Sequence, residues 1–248
     1  MTDDVELKTV VLLPTFNERR AVSQAIDGIF ANVPTADIAV IDDSSPDGTA
    51  GVVSEHPRFG DGLELLVREE RTGLADAYRY GMVWALDAGY ERIVQMDADG
   101  SHQATELPRL LAACGTADTL VIGSRWLPGG RVENWSLFRR LLSRGGNRFA
   151  RAALSCDIPD MTSGYRVWGR AALSTTLAAG NTGLLGYGFL IEMAWSHWVR
   201  GGQVKPTPIC FIERTSGRSK MSTGITFEAA LGVMRLRQKE FPPNSAQR

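Results

Sequence analysis

The sequence has little of what staples or metallates a small fold. Among its 248 residues are only three cysteines, Cys114, Cys156 and Cys210, odd in number, far apart and never in a CxxC. They read as reduced thiols of a cytosolic compartment, not as a disulfide framework. The three histidines, His56, His102 and His197, fall at no metal-ligand spacing, which argues against a His/Cys zinc site. No basic-then-apolar segment opens the chain, and no apolar run approaches the roughly 20 residues a bilayer span needs. Neither a membrane crossing nor export is therefore expected. Three further signatures are missing. No GxGxxG follows the first apolar run, no GxxxxGK[ST] occurs, and no GxSxG occurs. Their absence disfavours a dinucleotide-binding site, a P-loop and a nucleophile-elbow hydrolase.

What is present is enough apolar side chain, 44% of residues, to bury the core of one large α/β domain or a domain with an appendage. The net charge of −1 hides a polarity along the chain. Residues 1–124 hold 9 Lys+Arg against 21 Asp+Glu, whereas residues 125–248 hold 18 against 7. An acidic half suits a metal or a nucleoside, and a basic half suits phosphates on a ligand or a membrane surface.

Strand and helix signals alternate. Strands are expected at Thr9–Pro14, Ile38–Ile41, Leu63–Val67, Ile93–Met96 and Leu120–Ile122, where short apolar runs are bounded by turn residues. Helices are expected at Arg20–Ala31, Leu74–Ala88 and Leu107–Ala113 from their apolar spacing. This rhythm predicts a mainly parallel sheet with helices on both faces, with ligands at the carboxyl ends of the strands. The polar clusters fall at those ends: Thr15–Glu18, Asp42–Thr49, Asp97–Asp99 and Gly123–Arg125. Within Asp97-Ala98-Asp99, residues two apart in an extended segment share a side, so the two carboxylates are placed to share a hard divalent cation. Magnesium or manganese would complete its shell with substrate phosphates and water. Ser101 offers a hydroxyl nearby. Alone, such a triplet is weak evidence, because it occurs often by chance and reads first as a solvated acidic turn.

Several motifs together carry a resemblance. Leu13-Pro14-Thr15-Phe16-Asn17-Glu18-Arg19 resembles the opening motif of family-two glycosyltransferases, and Asp42–Thr49 resembles their second nucleotide-binding loop. Four further stretches resemble the polyprenyl-phosphate (dolichyl-phosphate) mannose synthases of that family. They are Asp97–His102, Gly123–Arg125, Ser143–Asn147, and Phe211–Arg214 with Gly217, Ser219, Lys220 and Met221. The likeness runs from about residue 9 to about residue 222. It implies the GT-A nucleotide-sugar-binding fold over residues 1–222, a nucleotide and metal half at 9–124 and an acceptor half at 125–222. A C-terminal amphipathic helix and tail would occupy 223–248.

The resemblance also implies roles. Pro14, Phe16, Glu18, Ile41 and Asp43 would line the nucleoside pocket. Asp97 and Asp99 would hold the metal, with Ala98 between them and Ser101 beside it. Arg125, Arg214 and Lys220 would engage donor or acceptor phosphate as the catalytic cations, and Arg139 and Ser143 would bind the acceptor phosphate. The implied reaction moves mannose from GDP-mannose to a polyprenyl phosphate. A phosphate monoester nucleophile, with its second pKa about 6, needs no general base. What it needs is cations to hold two like-charged phosphates together, and arginine forks suit that task. A single in-line displacement predicts inversion at the anomeric carbon.

Outside the reaction centre, Arg140, Arg144, Arg148 and Arg151 recur along one helical stripe, a solvated face or a lipid-headgroup contact. Ile225–Lys239 reads as a helix, either docked on the domain or lying in a bilayer surface. Peripheral attachment at the cytoplasmic face of a membrane, or a separate membrane-anchoring subunit, is expected, and no nucleic-acid partner. Leu185, Leu190 and Ala75 stand where relatives more often carry Lys, Gln and Gly, which bears on sugar identity. Two alternatives remain open: a UDP-sugar donor with the same lipid acceptor, and a non-catalytic nucleotide-sugar-binding subunit.

Overall fold

β1 (Thr9–Thr15) is buried along its whole length. Its side chains alternate between two cores, Val10 and Leu12 into one and Val11 and Leu13 into the other. A strand apolar on both faces belongs at the centre of a sheet covered on both sides. In the computed structural model, which describes residues 7–180, 183–213 and 231–238, that is its position. β1 pairs in parallel with β2 (Asp37–Asp42) and with β4 (Arg92–Gln95), and β3 (Leu63–Val67) extends the sheet beyond β2. Beyond β4 lies β7 (Arg166–Gly169), antiparallel to both β4 and β5 (Thr119–Ser124). β8 (Gln203–Pro208) closes that edge in parallel with β5. The order is β3-β2-β1-β4-β7-β5-β8. A small parallel ribbon joins β6 (Arg131–Glu133) to β9 (Cys210–Ile212).

Helices cover both faces. α1 (Val22–Asn32), α2 (Thr49–Ser54) and α4 (Leu107–Ala113) pack on the core that holds Val11. α3 (Leu74–Asp87), α6 (Arg170–Ala178) and α7 (Gly186–Val199) pack on the core that holds Val10, together with the end of α5 (Leu137–Leu154). α7 is buried without interruption from Gly188 to His197, as an apolar helix without a polar face must be. α3 approaches β2 so closely at Gly81 that a Cβ there would lie 2.5 Å from Ile41.

The GT-A-like, mainly parallel sheet agrees with the expected architecture. β3 and α4 have the expected bounds, and β4 stops one residue short, at Gln95. α2 was not expected. It starts just past the turn-rich Asp42–Gly48, where Gly48 takes the left-handed conformation, with φ of 86°, that the turn requires. Of the helix expected at Ile225–Lys239, only residues 231–238 lie among those described, 231–237 of them helical. Val233 and Leu236 are buried in the core, and Gly232 abuts Leu184. That piece is therefore docked on the domain, while Leu231 and Met234 remain exposed. Among the described residues no helix is long and apolar enough to cross a membrane.

Candidate active site

A cleft of about 330 Å³ opens at the carboxyl ends of β1 and β4, where a parallel sheet offers its ligand site. β1 delivers Pro14 and, past its end, Glu18. The loop after β4 delivers Asp97, Ala98, Asp99, Ser101 and His102. Arg125 comes from the end of β5, Arg139 from the first turn of α5, and Tyr187 and Leu190 from α7. Phe211 and Glu213 enter from β9 and the residue after it.

The two carboxylates of Asp97-Ala98-Asp99 both line this cleft, while Ala98 is 2% exposed in the core. Ala98 borders the cleft as well, so the strict alternation of an extended strand is lost here: β4 ends at Gln95 and residues 98–99 form a turn. Gly100, with φ of 78°, permits the turn. The amide of Ser101 donates to Asp99 Oδ1 at 3.0 Å. Tyr78 on α3 donates its hydroxyl to Asp97 Oδ1 at 3.1 Å, and burial keeps the phenol well above its ordinary pKa. The backbone amide of Asp97 donates to His102 Nδ1 at 2.9 Å. An acceptor Nδ1 puts the ring proton on Nε2, and burial pushes the imidazole pKa down, so His102 is neutral. It stacks on Tyr165 and meets Phe211 edge-on. Sequence reasoning gave His102 no role; its place as a clamp on the carboxylate loop depends on that packing.

The donor set fits a hard divalent cation. Ser101 is 2% exposed, and its hydroxyl, beside the two carboxylates, has no hydrogen-bond partner among the described residues. Such a buried orphan is costly unless something outside the chain satisfies it. Among the described residues no cluster of three or more acidic, imidazole or thiol ligands exists, so the shell would be completed by substrate oxygens and water. The lining also carries four carboxylates, Glu18, Asp97, Asp99 and Glu213, against two guanidinium groups, Arg125 and Arg139. An anionic diphosphate needs further positive charge there.

Both arginines are engaged. Arg125, 5% exposed, makes a bidentate pair with Asp160, with Nε to Oδ2 at 2.8 Å and Nη2 to Oδ1 at 2.7 Å. That partner raises its pKa against the opposing effect of burial. The Trp126, Trp135 and Phe211 rings surround the guanidinium at 5.4–5.8 Å. Arg139 pairs with Glu213 and lies over Trp135 at 4.2 Å. Ser143 sits one turn further along α5 and is not part of the lining; its carbonyl accepts from Asn147.

The remaining candidates separate into three groups. Phe16 and Asp43 lie beside the cleft, at the ends of β1 and β2. Arg71 covers the Phe16 ring at 3.7 Å, and Arg68 pairs with Asp43 at 3.0 Å, whose pKa burial nevertheless raises. Ile41 is not in the lining of this cleft: its side chain is fully buried against α3, because the pleat turns it into the core. Arg214 and Lys220, with Gly217, Ser219 and Met221, lie outside the described residues. Glu192 is buried in α7 away from the lining, whereas Leu190 lies in it and Leu185 is exposed next to it.

The family model for glycosyl transferase family 2 matches residues 10–177. Two curated relatives align with nearly the whole chain. The undecaprenyl-phosphate mannosyltransferase of Micrococcus luteus is 39% identical, over 92% of this chain and 93% of its own. The polyprenol monophosphomannose synthase of Mycolicibacterium smegmatis is 40% identical, over 91% and 85%. A dolichol-phosphate mannosyltransferase of Pyrococcus furiosus is 30% identical, over 94% of this chain and 65% of its own. In fold, the chain is similar to glucosyl-3-phosphoglycerate synthase of Mycobacterium tuberculosis, solved with Mn2+ and UDP-glucose. The TM-score is 0.68 at 19% identity, covering 97% of this chain and 81% of that one.

Proposed function

The chain belongs to glycosyl transferase family 2, and on that footing we propose that it transfers mannose from GDP-mannose to the phosphate of a polyprenyl phosphate, with a divalent cation and with inversion. The observation that carries this reading is likeness at 39–40% identity, over most of both chains, to two enzymes named for moving mannose onto such lipids. The cleft supports it. A phosphate acceptor brings its own nucleophilic oxygen, and no neutral general base is needed. His102, the one histidine in the lining, is spent on the Asp97 amide.

Asp97, Asp99 and Ser101 would hold Mg2+ or Mn2+, which when bound withdraws charge from the departing diphosphate. Tyr78 and His102 hold the loop that presents those groups. Pro14, Phe16, Glu18 and Asp43 sit where the nucleoside of the donor would lie, at the ends of β1 and β2. Arg125 and Arg139 would engage phosphate, and Trp135, Tyr187, Leu190 and Phe211, which line the cleft with them, would restrict water. Excluding water strengthens each remaining charge contact and protects the glycosyl donor from hydrolysis. Arg214 and Lys220 would add positive charge to the phosphates. An acceptor oxygen attacking opposite the leaving diphosphate inverts the anomeric carbon.

The lipid acceptor calls for a membrane surface, and α5 supplies a suitable face. Leu137, Phe138 and Leu141 are 72%, 73% and 60% exposed at its N-terminal end, beside the cleft residue Arg139. The helix carries five arginines and no acidic residue. This combination suits an anionic bilayer surface at the cytoplasmic face.

The test is transfer of labelled mannose from GDP-mannose to polyprenyl phosphate with Mg2+ or Mn2+, and with EDTA as control. Metal-dependent β-linked product supports the reading. Product from a UDP-sugar alone overturns the donor, product with retained configuration overturns inversion, and nucleotide binding without any transfer overturns catalysis by this chain.

A further inference from the structure

Arg125 is held unusually tightly for a residue that lines a ligand cleft. Asp160 lies 35 residues further along the chain and is fully buried. Its Oδ2 accepts from both the backbone amide and Nε of Arg125, at 2.9 and 2.8 Å. Its Oδ1 accepts from Nη2 of Arg125 at 2.7 Å and from Asn147 Nδ2 at 3.2 Å. Nη2 donates in addition to Thr162 Oγ1 at 2.8 Å. Nη1 has no hydrogen-bond partner among the described residues, while Arg125 lines the cleft.

A guanidinium is a planar fork, so fixing Nε and Nη2 fixes the direction of Nη1. We propose that Asp160 is a positioning residue for the transfer reaction: braced by Asn147 and by the cleft residue Thr162, it orients Arg125 so that the unbound Nη1 meets the phosphate in the cleft. This rests on the reading that a phosphate binds there. It also assigns Asp160 a task that plain neutralisation would not require. A carboxylate that pinned Arg125 through Nη1 would occupy the donor that this pairing leaves open, with Thr162 bordering the cleft beside it. The pair leaves Arg125 with less net charge but a set direction, and orientation is what a bidentate or in-line phosphate contact depends on.

The experiment uses the full chain and compares Asp160→Asn, Arg125→Met and the double variant, with Thr162→Val as a milder loosening of the same grip. Asp160→Asn is expected to raise the KM for polyprenyl phosphate at least tenfold and to leave the KM for GDP-mannose within about twofold. Thr162→Val is expected to raise the same KM two- to fivefold. In the Arg125→Met background, Asp160→Asn is expected to change the acceptor KM by less than twofold, because a residue acting through Arg125 has nothing left to act on. Titration with inorganic phosphate reads the same edge without turnover and is expected to weaken tenfold in Asp160→Asn. If the wild type binds phosphate and loses it in Asp160→Asn but transfers no mannose, the functional reading fails and the positioning role stands. Wild-type acceptor KM and phosphate affinity in folded Asp160→Asn overturn the proposal, as does full additivity in the double variant. Should Asp160→Asn not fold, an unchanged acceptor KM in Thr162→Val overturns it.

Discussion

Tyr78 gives its hydroxyl to Asp97 from a site that is 1% exposed, so the hydrogen bond works in a low dielectric. Tyr78→Phe keeps the ring and removes only that contact. Transfer is expected to fall about three- to tenfold, with a stability loss of about 1 kcal/mol, read by mannose-transfer kinetics and urea unfolding. Asp99→Ala removes a whole carboxylate from the metal-facing pair and is expected to lower transfer by at least about a hundredfold. The same mannose-transfer kinetics read that loss. Away from the cleft, His197 packs edge-on against Trp168, donates toward the Gln203 carbonyl, and is held below its ordinary pKa chiefly by burial. The folded chain therefore resists a proton that the unfolded chain accepts below about 6.5. Stability is expected to be full above that pH and to drain as pH falls toward the depressed folded value. Thermal unfolding between pH 7 and 5.5 should show a shallower decline in His197→Gln.

At the scale of elements, the sequence revealed what lies in one stretch and concealed what depends on distant partners. Asp97 and Asp99 were legible because two-residue spacing and the apolar run before them are local. β3 and α4 were legible for the same reason. Asp160 was not, because nothing near it in sequence announces an arginine 35 positions away. Ile41 was expected at the nucleoside pocket, yet its side chain packs against α3, because the pleat decides which face of a strand end a side chain takes. β7 was missed because its short run, Arg166–Gly169, begins with a charge. That arginine is fully buried, donates to three backbone carbonyls, and is pushed down to about 9 by desolvation. Where β7 meets the loop before β5, Gly169 has no room for a side chain: a Cβ would lie 2.4 Å from the Ala117 carbonyl oxygen. Gly169→Ala is expected to cost about 1–3 kcal/mol in urea unfolding, since backbone, not a flexible side chain, must yield. On α5, Leu137→Ser, Phe138→Ser and Leu141→Ser together are expected to weaken co-sedimentation with anionic vesicles. They should leave GDP-mannose affinity unchanged, because the exposed residues do not line the cleft.

Across the whole molecule, charge separates as composition foretold, with the carboxylates collected after β1, β2 and β4 and the arginines on α5. The two halves share the sheet, where β4 pairs with β7 and β5 with β8, and each cleft arginine takes its carboxylate partner from its own half. The sheet explains how they can be joined without being merged. β5 and β7 are neighbours, and the Gly123 amide donates to the Tyr165 carbonyl at 2.9 Å. Everything between them, including β6, α5, Arg125 and Asp160, leaves the sheet and returns to it at almost the same point. Such a closed excursion is a natural cassette. Its entry and exit are already stitched, so a different insert could be carried on the same nucleotide-side scaffold, provided it kept an apolar underside equivalent to Ala150, Leu154, Ile158 and Met161. On the proposed reading, acceptor preference on this framework can then drift by exchange of one segment, while the strands assigned to the donor stay as they are.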